Sequence, residues 1–158
     1  MSVKIYFDLD GTVYDLYGVE NWLSLLRNED VSVYTKGNTL YSADFYKIVC
    51  SLMRHGVKFG VITWGSMTAS PEFEEVTERA KRQWVNEHLP FVESFAYQRY
   101  GTPKQQAIKN RTQKYILIDD NAEVIKIWEN GKTRKSYQVT NEKNVTQILK
   151  EILDILIE

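Results

Sequence analysis

The chain has 158 residues, 43% of them hydrophobic and 26% charged, which suits one globular domain and excludes collagen-like, low-complexity and disordered classes. With 20 Lys and Arg against 21 Asp and Glu, the net charge of −1 leaves no chain-wide basic footprint for nucleic acid. The single cysteine, Cys50, allows no internal disulfide, and its place in a helical apolar pattern suggests a small core residue.

In chain order, Val3 to Leu9 is a β-prone run that ends at Asp-Gly, the signature of a strand entering a turn. Residues 14–40 are irregular, with a short helix expected over Val19 to Leu26. Phe45, Ile48, Val49, Leu52 and Met53 recur at helical spacing, and Gly56 stands where a helix C-terminal glycine belongs. Phe59 to Thr63 reads as a buried strand. Ser70-Pro71-Glu72 is a helix start, with a capping serine, proline at the first helical position and an acid in the first turn. That helix carries Phe73, Val76, Ala80 and Trp84 on one face and ends before Pro90. Strands follow at Val92 to Tyr97 and Tyr115 to Ile118, with a short helix after Pro103 between them and a helix over Ala122 to Glu129 beyond. Tyr137 to Val139 suggests a last strand. Val145, Ile148, Leu149, Ile152, Leu153 and Leu156 form an amphipathic stripe on the final helix.

Strands alternating with helices call for a parallel sheet with helices on both faces, a three-layer Rossmann-like α/β fold in one domain, 1–158. In such sheets ligands bind beyond the carboxyl ends of the strands. Asp8, Thr63 and the pair Asp119-Asp120 all fall at expected strand ends, with Lys104 just after one. Asp8 and Asp10, two residues apart beside an apolar strand, repel each other and are costly to bury without a cation. Magnesium, which takes oxygen ligands and keeps room for water and phosphate, suits such a site.

Phe7-Asp8-Leu9-Asp10-Gly11-Thr12-Val13 resembles the first motif of the haloacid dehalogenase superfamily of phosphohydrolases. Val61-Ile62-Thr63 resembles the second, Lys104 within Tyr100-Gly101-Thr102-Pro103-Lys104 the third, and Ile116 to Asn121 the fourth, in the family's order and over roughly residues 3–130. The resemblance implies a magnesium-dependent phosphomonoesterase. Asp8 is then the nucleophile, Asp10 the general acid and base, and Thr63 and Lys104 hold the phosphoryl oxygens. Gly11, Thr12 and Trp64 complete the substrate-binding set. The metal site implied comprises Asp8, Asp10 through its backbone carbonyl, and one of Asp119 or Asp120, because adjacent side chains diverge. Lys81 is a rival for the basic role but reads as a solvated face residue of its helix, and Ser66 as a loop residue. His55 and His88 lack metal-ligand spacing and take no role. A response-regulator receiver also gathers acids, a Thr and a Lys at strand ends, but its acidic pair comes first and it lacks the Asp-x-Asp acid. A non-catalytic phosphate-binding module is the other alternative.

Residues 14–40 are too few for a cap domain with its own core. They form a small insert, a minimal cap or lid, carrying Tyr14, Tyr17, Trp22 and Tyr34. These aromatics either pack the insert onto the core or stack a nucleobase. The partner expected is a small phosphorylated substrate, with a nucleotide or a nucleic-acid end phosphate among the classes to test. No stretch approaches the ~20 apolar residues of a membrane span. The opening Met1-Ser2-Val3-Lys4 lacks the features of a signal peptide. A soluble, cytoplasmic protein with no membrane partner is expected.

Overall fold

The structure, a computed structural model, describes residues 2–110 and 113–158. Its centre is a five-stranded sheet in the order β3-β2-β1-β4-β5, every neighbouring pair parallel. The strands are β1 (Val3–Phe7), β2 (Lys58–Trp64), β3 (Ser94–Gln98), β4 (Lys114–Asp119) and β5 (Arg134–Gln138). The helices are α1 (Trp22–Arg27), α2 (Phe45–Arg54), α3 (Pro71–His88), α4 (Ala122–Trp128) and α5 (Val145–Leu156).

β1, β2 and β4 are apolar on both faces because helices cover both, and the side chains alternate between two clusters. Ile5, Phe7, Phe59, Val61 and Ile118 point into the larger core with residues of α2, α3 and α5. Tyr6, Ile62, Tyr115 and Leu117 point the other way, against Val124 and Trp128 of α4. Phe7 stacks on Phe59 with ring centroids 5.6 Å apart, and Tyr6 meets Trp128 edge-on at 6.1 Å.

The helix starts follow local chemistry. The Ser70 hydroxyl accepts a hydrogen bond from the Phe73 N–H at 3.1 Å, with Pro71 at the first position of α3. Asn144 and Gln147 form a reciprocal capping box at α5. Gly56 closes α2 at φ 84°, a left-handed conformation that a glycine adopts without strain.

Several expectations are displaced. α1 starts at Trp22 rather than Val19, while the short helix expected after Pro103 is a 3-10 helix over residues 104–107. β5 lies at Arg134–Gln138, earlier than the expected Tyr137 to Val139. As an edge strand with half-buried polar residues it lacks the apolar run that marks the central strands. Cys50 is exposed, because α2 buries Phe45, Val49 and Leu52 and turns residue 50 outward. His55 and His88 sit at helix ends, each ring bonding the carbonyl four residues back in its own helix. No described helix is long and apolar enough to cross a membrane.

The insert is tied down at both ends. The Leu40 N–H donates to the Val13 carbonyl and the Asp15 N–H to that of Asn38, each at 2.9 Å. The buried Tyr14 hydroxyl donates to the Val33 carbonyl at 2.6 Å and accepts from the Gly37 N–H at 2.7 Å, while its ring meets Trp84 edge-on at 5.5 Å. Tyr14 and Tyr34 thus belong to the main core.

Candidate active site

The sequence runs out from β1 to β2 on one side and crosses back to β4 on the other, so strand order reverses between β1 and β4. A crevice opens beyond the strand ends at such a reversal. Phe7 pairs with Ile118, which sets Asp8 beside Asp119 at that point. The Asp8 N–H continues the ladder to the Ile118 carbonyl at 3.0 Å.

After Asp8 the backbone turns sharply. The N–H groups of Thr12, Val13 and Tyr14 all donate to the Leu9 carbonyl at 3.0 Å, and Gly11 adopts φ 81°. A Cβ on Gly11 would lie 2.2 Å from an Asp120 carboxylate oxygen and 2.9 Å from the Tyr17 ring, so the turn leaves room only for hydrogen.

Two buried lysines pair with three of the four carboxylates. Lys104 Nζ, from the 104–107 turn, donates to Asp8 Oδ1 at 2.8 Å and to Asp119 Oδ2 at 2.7 Å. Burial alone would lower its pKa, but the two carboxylates outweigh that and raise it, so Lys104 stays charged. Lys81 Nζ, from α3, donates to Asp10 Oδ2 at 2.8 Å, to Thr63 Oγ1 at 2.9 Å and to the Trp64 carbonyl at 2.7 Å, with the Tyr34 ring 4.9 Å away. Lys81 is therefore not a solvated helix-face residue: its side chain is 2% exposed and holds the carboxylate of the Asp-x-Asp pair.

Carboxylate oxygens of Asp8, Asp119 and Asp120 all lie within 4.8 Å of one another. Asp119 and Asp120 do not diverge, because β4 ends at Asp119 and the strand alternation no longer governs the next residue. Desolvation, then repulsion from Asp8, pushes Asp119 up to about 6, with Lys104 opposing. Desolvation, Asp8 and Asp119 push Asp120 up to about 8. Three hard oxygen donors, two of them in buried residues, fit a divalent cation, which offsets the repulsion they otherwise carry. The Asp10 side chain is outside this cluster, turned to Lys81, so any metal contact from Asp10 falls to its backbone carbonyl. Its pKa is raised by burial, against the pull of Lys81, and its Oδ1 is buried without a hydrogen-bond partner.

Above these groups opens a cavity of about 470 Å³ whose wall includes Asp8, Asp10, Lys104, Asp119, Asp120 and Trp64. Gly11, Thr12 and Thr63, expected to touch substrate, are not in that wall. Thr12 and Thr63 are fully buried behind it. Thr12 Oγ1 donates to Asp8 Oδ2 at 3.2 Å, fixing the carboxylate, and Thr63 receives Lys81. The insert supplies one side of the cavity, including Tyr17, Trp22 and Leu26, and the segment after β2, including Ser66 and Met67, supplies the other. The Glu29 carboxylate joins the two sides by accepting from the Ser70 N–H and hydroxyl, both at 2.8 Å.

The fold and site define an α/β protein with an acidic cluster at the switch point of a parallel sheet. No protein-family model matches the sequence, and no curated protein matches it.

Proposed function

We propose that the protein is a haloacid-dehalogenase-like phosphomonoesterase that works through an aspartyl-phosphate on Asp8 and uses magnesium. One observation carries this reading: the Asp8 carboxylate meets Asp119, Asp120 and a charged, buried Lys104 at the mouth of a cavity on the sheet's switch point. The motif order in the sequence supports it.

Asp8 attacks phosphorus, and the bond from phosphorus to the ester oxygen breaks. The departing oxygen takes a proton from Asp10. Lys81 occupies Asp10 Oδ2, which leaves Oδ1, buried without a hydrogen-bond partner, as the oxygen free to hold the proton. Burial raises the Asp10 pKa, which helps it take up the proton, while Lys81 holds the ionised form between steps. Water then attacks the phosphorus of the aspartyl-phosphate, gives its proton to Asp10, and inorganic phosphate leaves with Asp8 regenerated. Lys104 balances the charge on the phosphoryl oxygens, and Thr12 fixes the Asp8 carboxylate. Thr63 acts from behind, as a partner of Lys81. A magnesium ion held by Asp8, Asp119 and Asp120 would supply further charge neutralisation.

Purified protein with magnesium is expected to release phosphate from an aryl phosphate, and a chelator to stop it. Asp8→Asn preserves shape and removes the nucleophile, so turnover falls by several orders of magnitude. Undiminished hydrolysis by the folded variant overturns the mechanism.

A further inference from the structure

Two walls of the cavity are aromatic, and one is held rigid. The Trp64 indole N–H donates to the Gln98 side-chain oxygen at 3.2 Å and to the Thr102 carbonyl at 2.9 Å, which locks the ring. Tyr100 lies against it, centroids 5.1 Å apart, and Lys104 Nζ is 5.6 Å from its centre. The Trp64 ring lies beside Lys104, the residue proposed to face the phosphoryl group, and shares the cavity wall with it. On the insert side, Tyr17 and Trp22 meet edge to face at 4.9 Å, with Tyr17 beside the Gly11 turn and Asp120. Tyr17 and Tyr100 stay 53% and 48% exposed at the cavity's edge, although large rings ordinarily gain by burial.

Resting on the phosphomonoesterase reading, we propose that this cavity is a slot for a planar aromatic leaving group. The substrate is a phosphate monoester whose alcohol carries an aromatic ring a few bonds from the ester oxygen. The volume of about 470 Å³ is that of a small-molecule site. Beyond the carboxylates and Lys104, the wall is mainly aromatic and aliphatic, with Leu23, Leu26 and Met67 among its residues. A polyol phosphate would find Arg27, Ser66, Thr68 and Asn121 as its polar side-chain partners there, against a wall that is otherwise mostly apolar. A flexible alkyl chain needs only aliphatic walls, and rings on two sides of the cavity add the stacking that a planar group exploits.

The test compares matched substrates with the same type of leaving group. A nucleoside 5′-monophosphate is set against ribose 5-phosphate, which lacks the base, and phenethyl phosphate against cyclohexylethyl phosphate, equally apolar but unable to stack. The kcat/KM of each is measured on the native protein with magnesium. Binding of each is measured on Asp8→Asn by tryptophan fluorescence, with thermal midpoint as the folding control. The aromatic member of at least one pair is expected to be favoured by roughly 5- to 150-fold, the worth of one stacking contact. Which pair shows the larger ratio tells a nucleobase from a simple arene. Trp22→Ala and Tyr100→Leu should each bring that ratio towards one. Equal kcat/KM and equal binding within both pairs overturn the slot. If no phosphate is turned over yet the binding preference persists, the hydrolase reading falls and the slot stands. Absent turnover with equal binding removes both.

Discussion

Replacing Lys81 by Met tests the least expected part of the site. All three ammonium donors are used, on Asp10, Thr63 and the Trp64 carbonyl at 2.7–2.9 Å. At 2.8 Å and an effective dielectric near 20, Coulomb attraction to Asp10 alone is about 6 kcal/mol. Much of that is offset by the cost of drying both ions, so the useful quantity is the penalty of leaving one partner behind. For a buried pair this is about 3–5 kcal/mol. Lys81→Met keeps length and apolar volume and strands the Asp10 carboxylate, so it should lose that amount. In a chain of this length the loss lowers the thermal midpoint by roughly 6–20 °C. Adding Asp10→Asn removes the stranded charge. The double variant should regain part of the loss, with a coupling of about 1–3 kcal/mol. Urea unfolding of the native protein, both single variants and the double variant measures the cycle. A Lys81→Met penalty below about 0.5 kcal/mol, typical of a solvated surface change, or strict additivity would refute the clamp.

The acidic cluster predicts a stability that depends on pH and metal together. Asp119 and Asp120 titrate near 6 and 8, above the ordinary carboxyl value of about 4, so the folded state holds more protons than the unfolded one in between. In chelator, their contribution to stability is greatest below about pH 4 and is lost as pH rises towards 8. Magnesium binds the deprotonated carboxylates, so its affinity should increase over the same range and its binding should release protons. Thermal midpoints and calorimetry in buffers of differing ionisation heat check both, and a midpoint gain from magnesium that is independent of pH contradicts the assignment. Gly11→Ala should cost about 1–2 kcal/mol for its left-handed backbone and, by displacing Asp120, weaken magnesium binding more than tenfold. Unchanged magnesium titration in that variant would show the turn to be more adaptable than its contacts imply. Trp128→Ala, in the cluster on the α4 face, should lose about 3–5 kcal/mol of stability while kcat per folded molecule stays the same.

The central sheet was legible because β1, β2 and β4 are buried on both faces and read as continuous apolar runs ending in acids or Thr. β5 is not marked in this way, because an edge strand carrying Arg134, Lys135 and Ser136 has no such run. The juxtaposition of Asp8 with the Asp119-Asp120 pair was legible from strand ends, and that of Lys104 from its place just after a strand together with the motif resemblance. Lys81 was not, because α3 bears charges on most of its circumference and its aliphatic residues Val76 and Ala80 suggest a stripe on a different face. The buried stripe runs instead through Phe73, Thr77, Lys81 and Trp84, at steps of four, four and three. A lysine on that stripe was the available signal. Thr12 and Thr63 show the converse: residue type placed them at the site, but only the structure gives the direction of their hydroxyls.

The insert leaves the sheet and comes back at one place, since Val13 and Leu40 are hydrogen-bonded to each other. The chain between them is a closed excursion, and the strands do not register its length. Loop-closure entropy changes slowly with such length, so its exposed stretches can gain or lose residues at small cost, whereas Tyr14, Val33 and Tyr34 are fixed in the core. The carboxylates hang from the sheet, whereas Tyr17 and Trp22 hang from the excursion. The chemistry and the insert-side wall of the cavity are therefore carried by separate parts of the chain, while Trp64 on the opposite wall belongs to the sheet. A lineage could vary the stretch that carries Tyr17 and Trp22, alter what enters the cavity, and keep the attacking group, its lysine and its acid where they are, provided Tyr14 and Tyr34 stay in the core.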